Sequence, residues 1–432
     1  MIWNETKECM SRDEMTAMQS ARLVKLVDRV YHNVEFYRKK MQKLGLEPGD
    51  IHGIEDIEKL PFTTKQDLRD NYPFGLFAVP RSEVIRIHAS SGTTGKPTVV
   101  GYTRRDIETW QECVARSLTM AGIGKKDIMQ VAYGYGLFTG GLGLHYGVEN
   151  LGATVVPMST GNTRKQITLM EDFGCTALAC TPSYLLHIIE CLEEANMIDK
   201  IKLKTVVCGA EPWTEQMRND IEKRLHVNAF DIYGLSEIMG PGVAQDCIHH
   251  KGLHIQEDYF YPEIINAETL LPCSDNEVGE LTITTLTKEA IPLIRYRTKD
   301  LTTITHEPCE CGRTLARISK FQGRSDDMLI IRGVNVFPSQ IESVLLEMGN
   351  TKPHYLLIVD RVNNTDTLEV QVEVDETLFT DEIKKLEILT RRIEAALQSV
   401  LGISARVKLV EPKTLARNEG KTQHVVDRRK LY

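Results

Sequence analysis

Apolar and polar residues follow two rhythms along the chain up to about residue 325. Short apolar runs predict buried strands, and longer stretches with apolar residues at every third or fourth position predict helices. The predicted strands lie at 128–132, 153–157, 177–181 and 205–209. Residues 182–196 and 214–225 have helical spacing and follow two of these strands. This alternation favours mostly parallel sheets flanked by helices, which is an α/β fold.

The pattern changes near residue 326. Residues 367–375 alternate apolar with charged or polar side chains, which predicts a strand with one buried face. Residues 381–400 carry apolar residues along one helical face. The remainder of the chain has the size of one small domain. We therefore predict a large N-terminal domain over 1–325 and a small, mobile C-terminal α+β domain over 326–432.

Composition and charge narrow the class of protein. The chain has 432 residues, 42% hydrophobic and 26% charged, which is typical of a globular protein with more than one core. Its net charge of −8 argues against nucleic acid as a partner. The longest uncharged stretch, 128–148, contains six glycines, so we predict no membrane span. Ten scattered cysteines and an N-terminus without an apolar core predict a reduced, cytoplasmic protein.

The most distinctive stretch is Ser-Ser-Gly-Thr-Thr-Gly-Lys-Pro at 90–97. Its glycines let the backbone approach a ligand, and its amides, hydroxyls and ammonium can surround an oxyanion. It is not a Walker A motif, because Ser90 and Pro97 replace that motif's first glycine and final hydroxyl residue. A polar turn between two strands is the alternative. The candidate phosphate-binding residues are Ser90, Ser91, Gly92, Thr93, Thr94, Gly95 and Lys96.

Four further motifs follow predicted strands or the domain boundary. They are Gly-Ala-Glu-Pro at 209–212, Asp-Ile-Tyr-Gly-Leu-Ser-Glu at 231–237, Tyr-Arg-Thr-Lys-Asp at 296–300 and Gly-Arg-Ser-Asp-Asp at 323–327. In this order, the set resembles the adenylate-forming acyl-CoA synthetases and most closely the phenylacetate–CoA ligase family. The resemblance extends over 133–141 and 417–421, and so over nearly the whole chain. It implies an acid–thiol ligase that uses ATP, Mg²⁺ and coenzyme A, with an aromatic acid as substrate and acyl-AMP as intermediate.

The resemblance assigns roles around the nucleotide. Glu237 would bind Mg²⁺, which accepts one carboxylate together with phosphate oxygens. Tyr233 would stack on adenine, and Asp300 would accept hydrogen bonds from both ribose hydroxyls. Arg324 would add a ribose or phosphate contact. The other nucleotide-binding candidates are Gly209, Ala210, Glu211, Pro212, Asp231, Ile232, Gly234 and Ser236. Taken singly, each could instead be a core, turn or surface residue.

Catalysis and domain motion depend on residues near the boundary and the C-terminus. The resemblance implies that Lys421 reaches the α-phosphate and carboxylate oxygens, and that Lys96 and Glu237 are also catalytic. Asp326 corresponds to a hinge about which the small domain turns between the two half-reactions. A solvated lysine and a turn aspartate are the alternatives. Lys65, near a predicted helix N-terminus, is either a phosphate ligand or a solvated side chain.

An acid-binding pocket is predicted from a glycine-rich stretch and two flanking positions. We expect its small residues to leave space and its aromatic residues to form flat walls. The substrate-binding candidates are Tyr133, Gly134, Tyr135, Phe138, Gly140, Gly141, Ala210 and Pro241. Core packing is the alternative.

A structural zinc site is predicted apart from the resemblance. Cys309 and Cys311 form a Cys-x-Cys turn, and Cys247 precedes His254. Three thiolates and one imidazole make a closed tetrahedral zinc site. The neighbouring residues His249 and His250 are rival ligands, and a set of free thiols is the alternative.

Two other functions fit the same motifs. The enzyme could load its acyl group onto a carrier-protein thiol, or the chain could be a zinc-stabilised nucleotide-binding module without turnover. The expected partners are a small aromatic acid, ATP and coenzyme A, with no nucleic acid and no membrane, and a homodimer is one prediction for the assembly.

Overall fold

The computed structural model describes residues 1–90, 97–325, 329–332, 334–348, 351–362, 365–375, 383–416 and 424–429. These form two compact units, which do not follow the chain in two simple blocks. The first unit contains Met1–Thr181, Cys191–Ala210 and Val227–Lys320, and the second contains Pro182–Glu190, Glu211–His226 and Phe321–Tyr432. The predicted boundary at 325/326 stays a prediction.

Helices dominate the first part of the chain and then alternate with strands. The helices are α1 (Glu5–Glu8), α2 (Arg12–Asn33), α3 (Glu35–Lys43), α4 (Lys65–Asp70), α5 (Arg104–Met120), α6 (Thr139–Leu151), α7 (Thr163–Asp172), α8 (Pro182–Glu194) and α9 (Glu215–Leu225). The strands are β1 (Arg86–Ser90), β2 (Thr98–Tyr102), β3 (Ile128–Val131), β4 (Thr154–Val156), β5 (Ala177–Cys180), β6 (Thr205–Gly209), β7 (Asn228–Leu235), β8 (Gly240–Asp246), β9 (Leu253–Ile255), β10 (Phe260–Ile265), β11 (Gly279–Thr285), β12 (Tyr296–Thr302), β13 (Ile304–Thr305) and β14 (Arg317–Ile318).

A nine-stranded sheet forms the centre of the first unit, in the order β13-β14-β9-β8-β7-β6-β5-β3-β4. Strands β4, β3, β5, β6 and β7 run parallel, as the alternating pattern predicts. The other four strands pair antiparallel, so the sheet is mixed. Two of its parallel strands, β5 and β6, are buried along their whole length, which explains their continuous apolar runs. The predicted α/β class is confirmed.

Two smaller sheets complete the described part of this unit. Strands β10, β11 and β12 pair antiparallel. Strands β1 and β2 form an antiparallel pair in which Ser90 lies opposite Thr98. The candidate phosphate loop connects these two positions. Residues 91–96 lie outside the described residues, and Ser90 is described by its backbone alone.

The C-terminal part of the chain has the predicted α+β character. Its elements are β15 (Gly323–Arg324), β16 (Leu329–Ile331), β17 (Val334–Val336), α10 (Pro338–Glu347), β18 (Thr351–Val362), β19 (Thr365–Val374), α11 (Ile383–Leu401), β20 (Arg406–Val410) and β21 (Val425–Asp427). Four strands form a sheet in the order β20-β19-β18-β21. Alternate residues of β19, such as Val370 and Val372, are buried together with Ile393 and Leu397 of α11.

Candidate active site

Tyr133 connects the ends of three parallel strands. Its hydroxyl lies 2.7 Å from the carbonyl oxygen of Cys180, to which it donates, and 2.9 Å from the backbone nitrogen of Gly209, from which it accepts. The ring is buried. A Cβ on Gly209 would lie 2.2 Å from the carbonyl oxygen of Ile232, so this strand end requires glycine. The Tyr133 hydroxyl thus forms hydrogen bonds with backbone groups. A contact of its ring with the acid stays a prediction.

The glycines of the predicted acid pocket differ in their surroundings. A Cβ on Gly134 would meet nothing within 4 Å, whereas one on Gly141 would lie 2.7 Å from the carbonyl oxygen of Gly134. On the same helix, a Cβ on Gly143 would lie 2.3 Å from the Trp110 ring, whose indole N–H donates to the carbonyl oxygen of Pro241 at 2.9 Å. Gly141 and Gly143 therefore let α6 pack closely, and the role of the predicted glycines in an acid pocket stays a prediction.

Tyr135 and Phe138 both precede α6, and Phe138 is its N-cap residue. The Tyr135 hydroxyl is 3.4 Å from Nδ1 of His145, and Nε2 of that ring is 3.2 Å from Oε1 of Glu149. Burial raises the pKa of Tyr135 above its ordinary value. Phe138 is 44% exposed, which leaves an apolar surface beside this polar chain. Thr139 Oγ1 lies 2.8 Å from Ser236 Oγ and so joins α6 to the end of β7.

The candidate adenosine residues meet across two sheets. The Tyr233 hydroxyl donates to Oδ2 of Asp300 at 2.7 Å, and both residues are half-buried. Two neighbouring residues adopt left-handed backbone angles that L-residues rarely take: Ala210 has φ 69° and Lys299 has φ 70°. Such backbone strain is concentrated at functional sites.

Glu237 lies in a turn after β7, and its side chain is nearly buried. Its carboxylate lies 3.4 Å from the ammonium of Lys65, at the start of α4. Lys288 donates to the carbonyl oxygens of Glu237, at 3.1 Å, and Ile238, at 2.7 Å. Burial lowers the pKa of Lys288 to about 8, although the carboxylates of Asp106 and Glu237 favour its charged form. Sequence reasoning missed Lys288, whose only signal is a lysine within a largely apolar stretch.

The other predicted nucleotide residues are divided between the two units. Asp231 and Ile232 are buried in β7, and the Asp231 N–H donates to Asp246 at 3.0 Å. Glu211, Pro212 and Arg324 belong to the second unit, where Glu211 accepts from the backbone of Ser183 at 3.3 Å. Three groups of predicted residues lie outside the described residues: the loop 91–96, Asp326 and Lys421.

The predicted zinc ligands are brought together by the fold. One ligand atom from each of Cys247, His254, Cys309 and Cys311 lies within 4.8 Å of the others. The Cys247 and Cys309 sulfurs are 3.8 Å apart, and the Cys311 sulfur is 3.4 Å from Nε2 of His254. A hydrogen bond with His254 lowers the pKa of Cys309. This donor set suits zinc, since it supplies four N and S ligands.

The two rival histidines point to other partners. Nδ1 of His249 lies 3.3 Å from Glu310, and Nδ1 of His250 lies 3.0 Å from Asp246. His254 is selected because β9 pairs with β14, close to the turn that carries Cys309.

Comparison with known proteins identifies the class. Residues 42–286 match the AMP-binding enzyme family, and residues 333–429 match the AMP-binding enzyme C-terminal domain. The chain belongs to the AMP-binding enzymes. It is 51% identical to the phenylacetate–coenzyme A ligase of Escherichia coli (strain K12), over 98% of this chain and 97% of that protein. The chain therefore belongs to the phenylacetate–coenzyme A ligase family, as predicted.

Solved structures of another acyl-CoA ligase also match this chain. A 2-hydroxyisobutyryl-CoA ligase in the postadenylation state, in complex with 2-HIB-AMP, matches with a TM-score of 0.93 and 28% identity, over 99% of this chain and 92% of that one. The same ligase in the thioesterification state, with 2-HIB-AMP and CoA, matches with a TM-score of 0.73 and 28% identity, over 99% and 93% of the two chains. Among the described residues, no helix combines the length and hydropathy that crossing a membrane requires.

Proposed function

We propose that this enzyme joins a phenylacetate-like aromatic acid to coenzyme A through an acyl-AMP intermediate. The acid's carboxylate oxygen attacks the α-phosphate of ATP, the bond to the β-phosphate breaks, and pyrophosphate leaves. The thiolate of coenzyme A then attacks the acyl carbonyl carbon and AMP leaves. The observation that carries this proposal is the full-length similarity to phenylacetate–coenzyme A ligases. The hydrogen bond between Tyr233 and Asp300 supports it.

Different protein residues would bind the base, the ribose and the phosphates of the nucleotide. Tyr233 stacks on adenine while its hydroxyl orients Asp300 toward the ribose hydroxyls. The phosphates lie on the loop 91–96, and Lys96 neutralises part of their charge. Glu237 offers one carboxylate for Mg²⁺, which suits a cation that keeps phosphate and water ligands, and the bound ion would offset the charge of the phosphates. Fixed charges of this kind lower the barrier most, because the reaction is limited by charge repulsion and positioning.

Lys421 would stabilise the charge that develops on the α-phosphate during adenylation. Asp326 would be the hinge that replaces this lysine with another face of the C-terminal domain for thioester formation. The separate postadenylation and thioesterification structures of 2-hydroxyisobutyryl-CoA ligase support two such states. Replacement of Lys421 by Ala should abolish acyl-AMP formation but preserve thioester formation from supplied acyl-AMP. Equal loss of both half-reactions would contradict this role.

Substrate specificity is the finer part of the proposal. Tyr135 and Phe138 provide the flat walls that an aromatic ring needs, and Pro241 lies beside the same helix start. ATP and coenzyme A are intracellular substrates, and none of the ten cysteines, all of which lie in the described part of the chain, forms a disulfide; together these favour a reducing cytoplasm.

We also propose that the cluster of Cys247, His254, Cys309 and Cys311 holds a structural zinc ion. Four protein ligands leave no open position, so the ion would stabilise the fold without joining the reaction. Metal analysis after purification without chelators should find about one zinc per chain, and less than about half an equivalent would overturn the site. Cys309→Ser should lose the metal, whereas the control Cys273→Ser, a thiol outside the cluster, should keep it.

The experiment that tests the function is a panel of aromatic and aliphatic acids, scored by AMP release with and without coenzyme A. Phenylacetate-like acids should drive AMP release that depends on coenzyme A, and should drive exchange of labelled pyrophosphate into ATP without it. A phosphopantetheinyl carrier protein offered in place of coenzyme A tests the alternative acceptor. If no acid drives AMP release with Mg²⁺ and ATP in excess, the enzyme is not a ligase of this class.

A further inference from the structure

We propose that Lys288 is a positioning residue that fixes the turn carrying Glu237 in the geometry needed to bind magnesium and ATP. This inference rests on the proposed function, since it concerns the same nucleotide site. Lys288 lies in the segment between β11 and β12, which no motif in the sequence analysis included.

The turn after β7 is held through three consecutive carbonyl groups. Lys288 donates to the carbonyl oxygens of Glu237 and Ile238, and the Tyr102 hydroxyl donates to that of Met239 at 2.8 Å. The Lys288 ammonium also lies 4.9 Å from the centroid of the Tyr102 ring, within the range of a cation–π interaction. The backbone of the turn is therefore fixed by two buried side chains, which contact its carbonyl groups and not the Glu237 carboxylate.

The segment that carries Lys288 is itself anchored. Asp106, in the first turn of α5, accepts from the backbone N–H groups of Glu289, at 2.7 Å, and Ala290, at 3.0 Å. The carbonyl oxygen of Ala290 accepts from the backbone N–H of Ala78 at 2.9 Å. Because the two residues that follow Lys288 are held by these hydrogen bonds, the Lys288 side chain reaches the Glu237 turn from a rigid support. Rigid support of this kind is what a preorganised binding site requires.

Packing alone does not explain a lysine at this position. Lys288 is 2% exposed, and burying an ammonium is costly unless partners compensate it. The carboxylates of Asp106 and Glu237 supply opposite charge. The carbonyl oxygens of Glu237 and Ile238 accept hydrogen bonds from the Lys288 ammonium. An apolar residue would fill the space but would leave these carbonyls without their donor.

The test replaces Lys288 with Met, which keeps the length of the side chain and removes its donors and charge. Adenylation is measured by exchange of labelled pyrophosphate into ATP, with magnesium, ATP and phenylacetate varied separately. We expect the KM for magnesium-ATP to rise at least about tenfold, the effect of losing one hydrogen bond to a charged group, and the magnesium optimum to shift upward. The KM for phenylacetate and the rate of thioester formation from supplied phenylacetyl-AMP should stay within about twofold of wild type.

Two further variants keep the test decisive. Lys39→Met removes an exposed lysine whose ion pair with Glu35 lies on the same helix, and it should change none of these constants. If Lys288→Met does not fold, Tyr102→Phe removes only the hydrogen bond to Met239 and should raise the KM for magnesium-ATP in the same direction. An unchanged KM for magnesium-ATP in the folded variant, or an equal rise in both substrate constants, would overturn the positioning role. Absence of activity in the wild type would instead count against the proposed function.

Discussion

The hydrogen bond between Tyr233 and Asp300 allows the nucleotide site to be tested with the loss of one oxygen atom. Tyr233→Phe keeps the ring, and so keeps any stacking on adenine, but removes the donor that lies 2.7 Å from Asp300 Oδ2. Without it, the Asp300 carboxylate loses the hydrogen bond donated by Tyr233, and we expect it to be held less firmly where it would accept the ribose hydroxyls. The variant therefore separates orientation of the ribose ligand from stacking of the base.

The size of the effect follows from the chemistry of this bond. A hydrogen bond to a charged group contributes about 1.5–3 kcal/mol, or roughly a 10- to 150-fold change in an equilibrium constant. Both residues are half-buried, so water can replace part of the interaction and the lower end applies. We expect the KM for ATP to rise about 10- to 30-fold. The KM for the acid should not change, because the bond is made on the nucleotide side.

The assay is pyrophosphate exchange with ATP and acid varied separately, and Tyr31→Phe, on helix α2, serves as the control. A double-mutant cycle with Asp300→Asn adds a second measurement. If the hydroxyl acts through Asp300, the two losses will not add, and the interaction energy will be about 0.5–3 kcal/mol. A KM for ATP within about twofold of wild type in Tyr233→Phe, or fully additive losses in the cycle, would refute the reasoning.

Two further predictions concern charged residues in different parts of the molecule. Lys65→Met removes the ammonium 3.4 Å from Glu237. Because this pair is partly exposed, the KM for magnesium-ATP should rise only about three- to tenfold, which pyrophosphate exchange can measure. No change would mean that Lys65 is only a solvated side chain. In the C-terminal part of the chain, burial raises the pKa of Glu342 to about 7 from an ordinary value of 4.5, and the Tyr355 hydroxyl donates to it at 3.3 Å. The neutral carboxyl is thus favoured in the folded state, and its contribution to stability is complete below pH 4.5 and is lost as the pH rises through 7. Glu342→Gln should remove this loss, so its unfolding free energy at pH 8 should exceed that of wild type by about 2–3 kcal/mol in urea titrations, while at pH 4 the two should agree. An equal difference at both pH values would contradict the assignment.

The zinc cluster shows which metal ligands could be predicted from the sequence alone. The Cys-x-Cys turn is a local signal, and it correctly indicated two members of the cluster. The histidine could not be chosen from spacing, because three histidines lie within six positions. The choice of His254 depends on β9 pairing with β14, a contact between segments more than sixty residues apart.

The glycines of α6 show that a small residue can have either of two structural reasons. Spacing and residue type predict the segment 133–141 as part of an acid pocket, and that role stays a prediction. Gly141 and Gly143 are small because backbone and Trp110 approach them from other parts of the chain. Size at a position can indicate either a cavity or a close contact, and only the packed neighbours distinguish the two.

The sequence alone determined the alternation of strands and helices, the composition of the candidate phosphate loop and the family, since each depends on residue types at short, regular spacing. Tertiary structure alone decided which distant groups meet: Lys288 with the carbonyls of the Glu237 turn, Tyr233 with Asp300, and His254 with its three cysteines. The physical reason is that a side chain's partner across the fold is set by strand order and register, which bring together residues whose separation along the chain carries no periodic signal.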